Sequence, residues 1–153
     1  MTVEIVTLTD VVAKTASLAV IIGGVPLVEF DYINGFVSAA ARPEAVLPYA
    51  DFLDAFTALR VWVFAVEGAM NPGVTALVAY ETQLVYTATP PGQRRLQLTI
   101  GIGGGATYGA TWRRTGNTLT LHPRPAINMR FSDFQKSFVR AYELLVQRVG
   151  EVA

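Results

Sequence analysis

Apolar and polar positions alternate with a period of two through most of this chain, and only two segments shift to helical spacing. In residues 27–33, Val28, Phe30 and Tyr32 alternate with Leu27, Glu29, Asp31 and Ile33, which predicts a half-buried strand with two carboxylates on one face. A β-branched run at residues 17–22 precedes it, joined through Gly23-Gly24-Val25-Pro26, whose glycines supply the positive φ of a hairpin turn. Val3, Ile5 and Val6 predict a first strand, and residues 10–15 read as a loop or short helical turn. Asn34-Gly35 marks another turn before a connector at residues 39–43.

Residues 61–66 are apolar at both positions of the two-residue period and read as a central strand covered on both sides. Residues 74–80 and 83–88 form one bent strand or two, stopped by Pro90-Pro91-Gly92. Leu96, Leu98, Ile100 and Ile102 then oppose Gln97, Thr99 and Gly101. After Gly103-Gly104-Gly105, Tyr108, Ala110 and Trp112 oppose Thr107, Gly109, Thr111 and Arg113. Thr115-Gly116-Asn117 turns the chain into Leu119 and Leu121, completing a β-meander.

The two helical segments are residues 49–60 and 132–149. In the first, Phe52, Leu53, Phe56 and Leu59 share a face, with acidic residues near the start and Arg60 at the end, as the helix dipole favours. The second opens with Ser132-Asp133-Phe134-Gln135, an S-x-x-Q capping box, with Phe131 placed to staple the helix start. Phe134, Phe138, Ala141, Leu145 and Val149 form its apolar stripe, Lys136, Arg140, Glu143 and Gln147 its wet face, and Gly150 its end. This order predicts an α+β domain spanning residues 1–153: a mainly antiparallel sheet, β-hairpin then β-meander, with both helices packed on one face.

Composition adds a surplus of apolar side chains, 52% against 16% charged, beyond what a small domain's core readily absorbs. A membrane span does not explain it. The run 17–28 holds Gly23, Gly24 and Pro26, and the run 61–80 is broken by Glu67, Asn71 and Pro72, whereas a span needs about 20 uninterrupted apolar residues. The opening Met1-Thr2-Val3-Glu4 has no basic region of the kind a signal peptide carries. The chain has no cysteine, which removes disulfides, thiolate metal sites and cysteine nucleophiles, and points to a cytoplasmic setting. Twelve basic and twelve acidic residues cancel, so no field draws nucleic acid. A subunit interface or a greasy cavity remains for the apolar surplus.

Candidate chemistry is sparse. Residues 101–106 satisfy G-x-G-x-x-A, but that fingerprint needs a helix directly after the glycines, and Thr107 onward alternates as a strand. His122 is the single histidine, which excludes multi-histidine metal sites, and no serine sits in a G-x-S-x-G context. Glu29 and Asp31 stand about 6.5–7 Å apart by strand rise and, like Asp51 and Asp54, read as a solvated face. No catalytic set, metal site or cofactor is expected.

Half of the basic residues, Arg94, Arg95, Arg113, Arg114, Arg124 and Arg130, fall within residues 94–130. If the meander pairs as its pattern implies, the first four meet at one end of the sheet beside Trp112 and Tyr108. There they could hold an anion or an acidic partner through guanidinium contacts, or simply blunt sheet edges. Trp62, Phe64 or Trp112 are the aromatics expected at a self-association surface. The expectation is therefore a non-enzymatic binding or interaction protein, self-associating as a homodimer and open to a protein partner. The alternative is a small apolar-ligand carrier or isomerase-like enzyme with an aromatic cavity in a curved sheet.

Overall fold

The computed structural model describes residues 3–41, 45–70, 72, 80–102, 106–122 and 127–153. The alternation there becomes strands β1 (Val3–Asp10), β2 (Thr15–Ile22), β3 (Val25–Ile33), β4 (Phe36–Ala41) and β5 (Ala45–Pro48). After helix α1 (Tyr49–Met70) come β6 (Tyr80–Thr87), β7 (Arg95–Ile102), β8 (Ala106–Arg113), β9 (Thr118–His122) and β10 (Ile127–Arg130). Helix α2 follows as an α-helical turn Phe131–Asp133, a π-helical stretch Phe134–Val139 and an α-helix Arg140–Val152. Residues 74–79 and the Gly103-Gly104-Gly105 run lie outside the described residues.

The antiparallel strands divide into two five-stranded sheets, ordered β1-β2-β3-β4-β10 and β5-β9-β8-β7-β6. Their turns are those the sequence implies, with Gly23, Gly24, Asn34 and Gly35 all at positive φ. Residues 39–41, read as part of a connector, instead end β4, because Ala39 is buried and pairs with Phe30 while Ala41 pairs with Val28. The fold is α+β, with each sheet turning its inner face to the helices.

Helix α1 runs 22 residues, past the predicted end at residue 60 and through the segment read as a central strand. Leu59, Trp62, Val63, Val66 and Met70 are buried along one side, while Val61 and Phe64 point outward at 64% and 79% exposure. Helical spacing thus prevails over the β-propensity of the valines, because the helix buries a continuous stripe. Ser132 does not cap α2. It is buried one residue inside the helix, whose first amide, that of Phe131, donates to the carbonyl of Gly35 at 2.9 Å. Gly150 does not end the helix either, which continues to Val152.

Phe30 of β3 joins the first sheet to both helices. Its ring lies 6.4 Å from Trp62, 5.7 Å from Phe134 and 5.9 Å from Phe138, the last two edge-on. The second sheet contributes Leu96, Leu98, Ile100 and Leu119, all buried, and Trp112, edge-on to Tyr49 at 6.4 Å. Phe52 and Tyr142 join the helices to each other at 5.9 Å. Each such aliphatic or aromatic side chain contributes about 1.5–3 kcal/mol by leaving water.

Candidate functional site

The arginine end of the second sheet is assembled by local pairing. Arg95 of β7 is the direct cross-strand partner of Arg113 of β8, and one residue further out the amide of Arg114 donates to the carbonyl of Arg94 at 3.0 Å. The turn beyond is locked from three sides. Asn117, at φ 48°, accepts from Trp112 Nε1 at 2.9 Å, its carbonyl accepts from the amide of Tyr49 at 3.0 Å, and the Thr115 hydroxyl donates to the Gly92 carbonyl at 2.7 Å. The four arginines therefore stand on a rigid frame next to the first turn of α1.

Strand alternation fixes the face of two of them. Arg95 and Arg113 lie opposite the buried Leu96 and Trp112, on the outer face, in one row with Thr87 and Thr118: Thr87 pairs with Arg95, Arg95 with Arg113, and Arg113 with Thr118. None of these four side chains makes a hydrogen bond or ion pair among the described residues, whose two ion pairs are Arg140–Glu143 and Arg148–Glu151, both on α2. Arg94 and Arg114 are likewise without an acidic partner, and Arg94 Nε is buried with no acceptor. A signal for this lies in the sequence: residues 82–132 contain no Asp or Glu. The strands of the first sheet carry Glu4, Asp10, Glu29 and Asp31 against Arg130 alone.

The other residues singled out from the sequence are dispersed. Trp112 is 1% exposed and supports the arginine end from within rather than lining it. Trp62 is also buried, in contact with Phe30, which takes it out of any contact surface, whereas Phe64 is free on the outer side of α1. Arg130 lies over the Phe36 ring on the first sheet, away from the other arginines, and Arg124 falls outside the described residues. Of Tyr108 and His122 only the backbone is described, Tyr108 pairing with Ile100 and His122 with Gly109. Ile102 and Ala106 are cross-strand partners, so a strand and not a helix follows the glycine run. Among the described residues no group of three or more His, Asp or Glu is placed to hold a metal ion, and no helix is long and apolar enough to cross a membrane.

A second surface was not anticipated. Strand β1 is an edge strand, paired with β2 on one side only. On it and the following turn Ile5, Val6, Leu8, Val11 and Val12 are 36–97% exposed. The strand carries no lysine or proline and no described bulge; of the devices that blunt an edge it has only the charges of Glu4 and Asp10, near its two ends.

Where both sheets and both helices meet, an apolar cavity of about 70 Å³ is lined by Val20, Phe30, Leu47, Phe56, Leu121 and Tyr142 among others. Burial there pushes the Tyr142 hydroxyl well above its ordinary pKa, and burial raises that of Tyr49 as well. Comparison with protein-family models, with curated proteins and with solved structures returns no match.

Proposed function

We propose that this is a non-enzymatic binding protein that self-associates by pairing the β1 edge of one copy with the β1 edge of another, and presents its arginine end to an acidic partner. The observation that carries the reading is the β1 edge: an eight-residue strand whose outward-pointing backbone donors and acceptors are open beside exposed aliphatic side chains, with its two charges, Glu4 and Asp10, near its ends. Another β-strand satisfies both at once. A second copy is always present at equal concentration, and antiparallel pairing of identical edges about a two-fold axis closes on itself. Phe64, exposed on α1, adds apolar surface outside the core.

The carrier or isomerase-like reading finds less support. The apolar cavity between the sheets, about 70 Å³, is far below the ~300 Å³ of a typical ligand pocket, and the larger clefts, about 570 and 430 Å³, are lined in part by charged residues rather than by an aromatic cage. A net charge of zero favours protein over nucleic acid as partner, and the cysteine-free composition suits the cytoplasm. Light scattering at micromolar concentration tests the reading. The expected result is a dimer mass that reverts to monomer in the Val6→Lys/Leu8→Lys variant; a monomer in the unsubstituted protein overturns it.

A further inference from the structure

We infer that the row Thr87–Arg95–Arg113–Thr118 on the outer face of the second sheet is a binding site for a phosphate group. The inference deepens the reading of the arginine end as a partner contact by naming the chemistry that it takes.

Two like charges directly opposite on an antiparallel ladder repel and destabilise the pair. Arg95 and Arg113 are so placed, and no carboxylate answers them among the described residues. Asp51, in the first turn of the neighbouring α1, forms no ion pair with either. An anion lying across the row removes the repulsion. The row supplies ten guanidinium N–H groups, five from each arginine, with a threonine hydroxyl at either end. That is a line of donors carrying two positive charges and no negative one. A phosphate monoester brings nearly two negative charges and three acceptor oxygens, which two guanidinia engage in bidentate fashion. A single carboxylate would leave one arginine uncompensated. Arg94 and Arg114, just beyond the ends of β7 and β8, add positive potential, and the bonds of Asn117 and Thr115 hold the frame in place before any ligand arrives.

Isothermal titration of the full chain with inorganic phosphate and with pyrophosphate, at low ionic strength with chloride as the control, tests the site. Saturable binding is expected, at least tenfold weaker in Arg95→Gln/Arg113→Gln, whose fold is checked by circular dichroism. The Thr87→Val/Thr118→Val variant, which keeps both charges, should weaken binding by a smaller factor. No saturable binding, or equal binding by the arginine variant, overturns the site. Binding of poly-glutamate in place of phosphate overturns the choice of ligand. The monomeric Val6→Lys/Leu8→Lys variant separates this site from self-association: it should bind phosphate unchanged, and loss of binding there would show that the row alone is not the site.

Discussion

Gly109 of β8 lies so close to β7 that a Cβ built on it would collide with the carbonyl oxygen of Leu98. The obstacle is backbone, paired on both sides within the sheet, so it cannot swing away as a side chain would. Gly109→Ala should therefore cost at least about 2 kcal/mol, near the upper part of the range for overpacking. Gly101, in the neighbouring strand, has open space where its Cβ would go, and Gly101→Ala should stay within about 0.5 kcal/mol. Urea unfolding of the two variants distinguishes a steric requirement from a general intolerance of side chains in this sheet.

Phe138 is 6% exposed and touches Phe30, Phe134 and Tyr142 at centroid distances of 5.9, 5.2 and 5.0 Å. Phe138→Ala should cost about 3–5 kcal/mol. A loss below about 1 kcal/mol in chemical denaturation would mean that α2 is peripheral to the core.

How far such features were legible in the sequence depends on the range over which the pattern acts. The Leu96–Leu98–Ile100 alternation, the turns at Gly23-Gly24 and Asn34-Gly35, and the α2 stripe are local signals, and each element formed where its pattern lies. The meeting of Arg95 with Arg113 followed from the same alternation plus one hairpin. Residues 61–66 misled because every position is apolar, so a two-residue period and a helical period fit equally well. Only the continuation from Leu59 through Trp62, Val66 and Met70 favours helix. The pairing of β10 with β4 and of β5 with β9 joins segments far apart in sequence, and nothing local encodes it. The β1 edge was missed for the same reason: its strand was visible, but that it lies at an edge is a property of the whole sheet.

The buried phenol of Tyr142 makes a prediction about alkaline stability. Burial raises its folded-state pKa above the ordinary tyrosine value of 10.0, so below pH 10 both states hold the proton and no stability is lost. As pH rises past 10 the unfolded chain releases the proton while the folded one keeps it, and folding weakens by about 1.4 kcal/mol per pH unit from this group. Tyr49, raised in the same direction, adds a decline of the same sign. Tyr142→Phe should flatten the fall in unfolding free energy between about pH 10 and pH 11.5 by roughly that slope. An unchanged slope would show that the hydroxyl ionises in the folded protein.

Pairing at β1 predicts a pattern that mass alone does not give. In an edge strand alternate amides bond inward to the neighbouring strand and the rest point outward to water. Within Val3–Asp10 the amides bonded to β2 should be protected from hydrogen exchange at every protein concentration. The outward set should exchange fast in dilute solution, where the edge is bare, and slow down together as concentration rises and a second copy covers them. Burial of Val6 and Leu8 against side chains of the partner, without strand pairing, would leave those outward amides fast at all concentrations. Exchange measured residue by residue across a hundredfold dilution thus separates a continued sheet from a simple apolar contact. Concentration-independent exchange of the outward amides, in a protein that remains dimeric, would place the interface elsewhere, with the exposed Phe64 side of α1 the next surface to substitute.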